Sequence, residues 1–220
     1  MKKILFACLA FALTWAASAQ TTERPAAQFG LLAGVTSSAT DIEAAWAEAE
    51  DITQYHVGIG GKFNIGGFFA VQPMLIYNIK GAKISEQDSA EDFKADFKTG
   101  FIELPVQLQI GLPLGEDFRI FGLAEPFIGY GITNESKAEL GDASETKHNW
   151  DSVKNRLEYG ASAGAGIEIA GGLQLQVKYF WNFGTIYKDS EHPGNGAGNP
   201  VDAVKHSKCS GIMATLGFFF

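Results

Sequence analysis

An all-β chain of eight antiparallel strands in up-and-down order, closed into a transmembrane barrel, is what this sequence predicts, and three observations predict it. Hydrophobicity alternates with period two in one segment after another, the signature of strands with one apolar face. The connections between these segments are short and long by strict alternation. Charged residues inside the segments share one parity, opposite to the apolar one.

The chain begins with Lys2 and Lys3, an apolar run from Ile4 to Trp15, and the small residues Ala16, Ala17, Ser18 and Ala19. A basic end, a short apolar core and an A-x-A site read as a secretory signal peptide over 1–19, cut after Ala19. The run is shorter than the roughly 20 apolar residues a spanning helix needs. Leu5-Phe6-Ala7-Cys8 looks like a lipidation box, but a cut there would leave only a stub of apolar segment. Residues 20–220 are then a single outer-membrane β-barrel domain. Its one cysteine, Cys209, rules out an intramolecular disulfide. The formal net charge of −8 argues against nucleic acid, which needs a basic face.

The first strands are expected near Gln28 to Thr36, Gln54 to Asn64 and Phe68 to Lys80. In the next, Ile102, Leu104, Val106, Leu108 and Ile110 oppose Phe101, Glu103, Pro105, Gln107 and Gln109. A fifth runs from Phe118 to Ile132. In the sixth, Leu157, Tyr159, Ala161, Ala163, Ala165, Ile167 and Ile169 oppose a face of small or charged residues from Arg156 to Glu168. The clearest alternation lies between Leu173 and Phe183, where only Phe180 breaks the rule. The last strand puts Ile212, Ala214, Leu216, Phe218 and Phe220 on one face, and Phe218 and Phe220 are expected to serve as the C-terminal assembly signal.

Short turns are expected at Ile65-Gly66-Gly67, Leu112 to Asp117 and Ala170-Gly171-Gly172. Long polar loops are expected near Ser37 to Thr53, Ala82 to Asp96, Thr133 to Asn155 and Tyr187 to His206. Short turns on one rim and long loops on the other are the outer-membrane barrel pattern, with turns periplasmic and loops extracellular. Closure pairs every backbone amide where water is absent.

Cost decides which face meets lipid. A basic side chain at the bilayer midplane of a barrel costs about 2–4 kcal/mol, so the charged parity must face the lumen. That parity carries Lys62, Lys80, Glu103, Arg119, Glu125, Glu158, Glu168 and Lys178. Glu103 and Glu125 are expected to find partners among Lys178, Arg119 and Lys62. An eight-stranded interior is just wide enough for side chains to fill, so a plugged lumen is expected rather than a pore. Phe29, Tyr130, Tyr159, Tyr179, Trp181 and Phe220 share the lipid parity as an aromatic girdle.

Three segments are more specific than alternation: Val71-Gln72-Pro73-Met74-Leu75-Ile76-Tyr77 followed by Lys80-Gly81-Ala82-Lys83; Phe101-Ile102-Glu103-Leu104-Pro105; and Gly164-Ala165-Gly166-Ile167-Glu168. Together they resemble the PorT-like outer-membrane β-barrel family of the Bacteroidota over nearly all of the chain beyond the signal. Met74 departs from it, standing where the family usually carries an acid. The resemblance implies a barrel of the cell envelope, with some members linked to protein secretion and gliding. Pro73, Pro105 and Pro126 fall inside strands, where proline removes a ladder bond; bulges are expected there.

A search for chemistry finds no catalytic set. His206-Ser207, near Asp202, would point to opposite faces of a strand. His56 falls on the inward parity, where an interior acid is its expected partner. Asp41, Glu43, Glu48, Glu50 and Asp51 surround Trp46 in an expected short helix, without the alternate-residue spacing of a calcium loop. Residues 194–200 resemble a phosphate loop but lack the following Lys-Ser/Thr. No cofactor is expected and no enzymatic activity.

The expected function is binding or structural, with four long loops displayed by a rigid wall. The expected partners are outer-membrane lipid, the barrel assembly machinery and envelope or secretion-system proteins. The same alternation suits a soluble periplasmic or secreted carrier with its apolar face turned inward around a hydrophobic ligand. The small-residue tracks at Gly58 and Gly60 and at Gly160, Ser162, Gly164 and Gly166 favour a crowded lumen and the membrane barrel.

Overall fold

The computed structural model describes residues 25–40, 48–50, 52–86, 93–115, 117–140, 143–147, 156–170, 172–184 and 209–220. The expected signal peptide lies outside them. Among the described residues ten strands form in order: β1 (Ala27–Thr40), β2 (Glu48–Glu50), β3 (Ile52–Ile65), β4 (Phe69–Glu86), β5 (Phe93–Pro113), β6 (Phe118–Leu140), β7 (Ala143–Lys147), β8 (Leu157–Ile169), β9 (Leu173–Asn182) and β10 (Cys209–Phe219). All pairings are antiparallel. The ring β1-β3-β4-β5-β6-β8-β9-β10 closes where β10 pairs with β1, making the eight-stranded barrel. Strands β2 and β7 add to β4 and β6 beyond the ring.

Alternation sorts every barrel strand into two faces. Outward are large apolar residues such as Phe29 (65% exposed), Ile59, Leu104, Ile128, Tyr159 and Val177. Inward are Gln28, Thr36, Lys62, Gln107, Arg119, Glu168 and others, all buried. An apolar belt around a whole barrel suits hydrocarbon, not water. These faces are the reverse of those a soluble hydrophobic carrier requires, and that alternative falls with them. Small apolar clusters also line the lumen, one of Leu32, Met74, Ile76 and Phe219, the other of Phe127, Phe180, Cys209 and Met213.

The β3–β4 turn uses Gly66 and Gly67 at φ of +62° and +76°, a left-handed conformation that glycine adopts without steric cost. The other tight connections lie at the same rim, where Leu114 N–H donates to Phe118 O at 2.8 Å and Gly172 N–H to Ile169 O at 3.2 Å.

The bulges expected at the prolines do not form. Beside Pro73, the register is unchanged from Gly60↔Met74 to Phe63↔Val71. Beside Pro105 it is unchanged from Pro105↔Phe127 to Leu108↔Ala124, and Pro126 pairs with Ala161 in an unbroken ladder. A missing N–H removes one bond and leaves the carbonyl and both neighbours to hold the register. The register shift falls instead between Gly100 and Phe101, which pair with Thr133 and Gly131 and leave Ile132 over.

The strands also run past their expected ends, so that β4, β5 and β6 rise beyond the barrel rim, flanked by β2 and β7. In this extension Glu50 pairs with Lys83, Lys83 with Asp96 and Asp96 with Lys137. Lys94 pairs with Glu139 and Lys98 with Glu135. Opposite charges at directly opposed positions, as at Lys98 and Glu135, stabilise a ladder by roughly 0.2–1 kcal/mol. The same charges conceal strands from a search for apolar alternation.

Candidate functional site

The lumen holds the side chains that chemistry would use. Among the described residues its buried charges are four cations, Lys62, Lys80, Arg119 and Lys178, and four carboxylates, Glu103, Glu125, Glu158 and Glu168. They fall into three tiers, set by their distance along the strands from the short-turn rim.

Nearest that rim, Lys62 on β3 and Arg119 at the start of β6 share Glu168 at the end of β8. Arg119 Nη1 lies 3.5 Å from Glu168 Oε2 and donates to Gln109 Oε1 at 2.9 Å, while its Nη2 donates to the Phe68 carbonyl at 3.2 Å. The guanidinium carbon stands 5.3 Å from the centroid of the Phe121 ring. Halfway up, Lys178 on β9 bonds Glu125 on β6. Ser162 Oγ donates to Glu125 Oε1 at 3.2 Å and Gln107 Nε2 to Glu125 Oε2 at 3.0 Å. Gln109 donates on to Gln107 and Gln72, so amides fill the space between the two tiers.

In the tier nearest the long connections, Lys80 on β4 lies between Glu103 on β5 and Glu158 on β8. Its Nζ is 2.9 Å from Glu103 Oε1 and 3.2 Å from each oxygen of Glu158. It also lies 4.6, 4.7 and 5.6 Å from the ring centroids of Phe127, Phe180 and Phe101. Asn78 donates to Glu103 at 2.9 Å and Asn182 to Glu158 at 2.8 Å. Burying such charges is tolerable only with this density of pairing and hydrogen bonding.

All seven expected network residues, Lys62, Glu103, Arg119, Glu125, Glu158, Glu168 and Lys178, therefore lie in the lumen. Their pairing differs from the expectation at one place. Glu103 finds Lys80 rather than Lys178, Arg119 or Lys62: β4 and β5 are adjacent, and although Lys80 is opposite Thr99 and Glu103 opposite Ile76, the long lysine side chain spans the offset. Lys80 had the right parity for the network, which was the available signal. Phe180, the break in the alternation of β9, is one of the rings facing this ammonium.

His56 does not meet an acid. Its Nδ1 is 2.9 Å from Thr36 Oγ1 and its Nε2 is 2.9 Å from Thr215 Oγ1. Thr36 Oγ1 donates to Asn78 Oδ1 at 2.8 Å, so it accepts from Nδ1–H, and Nε2 accepts from Thr215. A relay thus runs from His56 through Thr36 and Asn78 to Glu103, with no serine nucleophile on it. His206, Ser207, Asp202 and residues 194–200 lie outside the described residues, as do Asp41, Glu43, Trp46 and Asp51. Glu48 and Glu50 are in strand β2, not in a helix.

The terminal aromatics sit on the outside of the seam. Phe218 and Phe220 face outward with ring centroids 6.2 Å apart. Phe220 exchanges backbone hydrogen bonds of 2.8 and 3.0 Å with Phe29, which ties the last residue to the first barrel strand.

The family model described as outer membrane protein beta-barrel domain matches residues 18–188. No curated protein matches the chain. Among solved structures, OprG of Pseudomonas aeruginosa superposes with a TM-score of 0.45 at 13% identity, covering 91% of this chain and 99% of that one. Ail of Yersinia pestis and Neisserial surface protein A each give 0.41 at 12% identity, covering 89% of this chain and 100% of theirs.

Proposed function

Because the chain belongs to the outer membrane protein beta-barrel domain family, and so has its place in the outer membrane, we propose that it is a non-enzymatic barrel with a closed lumen whose working surface is the sheet beyond the rim. The observation that carries this reading is the lumen itself, where four buried cations and four buried carboxylates are paired across three tiers. A conducting pore keeps its interior charges in water. Here they are bonded to one another and to amides.

With the short turns at the periplasmic rim, the extension of β2, β4, β5, β6 and β7 stands outside the cell. Its aligned acidic and basic positions are the proposed contact for envelope or secretion-system proteins. The segments around Pro73, Glu103 and Gly166 support placing the chain in the PorT-like branch of the Bacteroidota, which suggests the secretion link. The barrel assembly machinery is the proposed reader of Phe218 and Phe220, and outer-membrane lipid the partner of the apolar belt.

Planar-bilayer recordings of the wild-type barrel test the closed lumen. Little or no steady conductance is expected, and large steady channels would sink the reading.

A further inference from the structure

Of the three tiers, the one nearest the extracellular rim is unlike the others. In the periplasmic tier two cations serve one carboxylate, so loss of either leaves the other in place. In the middle tier one cation meets one carboxylate, held by Gln107 and Ser162 much as Asn78 and Asn182 hold Glu103 and Glu158 in the outer tier. In the outer tier a single ammonium serves two carboxylates and lies within 6 Å of three aromatic ring centroids. Ring faces attract cations, and more strongly once water is excluded. The three N–H donors of an ammonium match three carboxylate oxygens here, Glu103 Oε1 and both oxygens of Glu158.

We propose that the outer end of the lumen is a primary-ammonium site, built from Glu103, Glu158 and the rings of Phe101, Phe127 and Phe180, which the chain fills with its own Lys80. The inference rests on the closed-lumen reading and assigns the closure at this level to one side chain. Lys80 acts as a tethered ligand, and its removal leaves two carboxylates and three rings able to take a free primary amine of similar head. A quaternary ammonium offers charge but no N–H, so it satisfies the rings and not the carboxylate oxygens.

The test is Lys80→Ala, refolded in detergent with ethylammonium, with tetramethylammonium, or with sodium alone, and read by the heat-dependent shift in gel mobility. Ethylammonium is expected to raise the folded fraction saturably from a minority of the protein toward the wild-type level. Tetramethylammonium is expected to do little, and Lys178→Ala to ignore both. In a planar bilayer the folded Lys80→Ala barrel is expected to stay closed, because the middle and periplasmic tiers still fill the lumen. If Lys80→Ala does not fold in any of these solutions, Lys80→Ala with Glu158→Gln removes one buried carboxylate, and ethylammonium is expected to promote its folding. Equal behaviour in all three salts, or an equal response of Lys178→Ala, would overturn the proposal. Steady current through the wild type would instead break the closed-lumen reading, which the gel measurement does not depend on.

Discussion

Within the barrel β4 carries Val71, Leu75, Tyr77 and Ile79 on the outward parity and Gln72, Asn78 and Lys80, with Met74 and Ile76, on the inward one, while beyond the rim its sequence runs on as Ala82-Lys83-Ile84-Ser85-Glu86. In the paired strands the register aligns Lys94, Asp96 and Lys98 of β5 with Glu139, Lys137 and Glu135 of β6, and Ala95 with Ala138. One continuous hydrogen-bonded sheet thus has two chemical halves. On the proposed placement the change of solvent, from hydrocarbon to water, decides what each half carries, and the ladder itself is indifferent to it.

That contrast is sharpest at Val177 and Lys178, adjacent residues on opposite faces of β9. Lys178→Met leaves Glu125 buried without its cation and is expected to cost the most, about 3–5 kcal/mol. Urea titration of the heat-modifiable band would measure it, and an unchanged midpoint would mean that the middle tier is hydrated. Next is Val177→Lys, which puts a charge on a belt position that is 56% exposed and near mid-strand. About 2–4 kcal/mol is expected; a neutral result in lipid vesicles would place the bilayer elsewhere on the barrel.

A smaller effect separates two glycines of the wall. A Cβ on Gly164 would lie 2.2 Å from the Val177 carbonyl oxygen, whereas one on Gly122 would meet nothing nearer than 4.0 Å. Gly164→Ala is expected to lose about 1–3 kcal/mol, as over-packing does, and Gly122→Ala to leave the unfolding midpoint where it is. Smallest is Glu135→Lys in the extension, opposite Lys98. It is expected to cost about 0.2–1 kcal/mol, and to lose that cost in high salt. A salt-independent loss of the size expected for Lys178→Met would show that the extension is as dry as the lumen.

How much of this was legible in the sequence follows from which forces are local. Phe180 could be read as an exception to alternation but not as a ring over Lys80, because the contact joins β9 to β4 across the lumen. The same is true of His56, whose threonine partners on β1 and β10 are close only once the barrel closes. The prolines misled for a local reason. A lost donor suggests a bulge, yet flanking pairs on both sides hold the register without one.

By itself the sequence determined the eight barrel strands, their order, the short-turn rim and which side chains face the lumen. All of these follow from period-two alternation and the cost of charge in hydrocarbon, and both act on each segment separately. Only the tertiary structure decided which cation meets which carboxylate, and that the long connections begin as paired strand. Closure, tilt and stagger set the height of each residue on the barrel wall, and those are properties of all eight strands together.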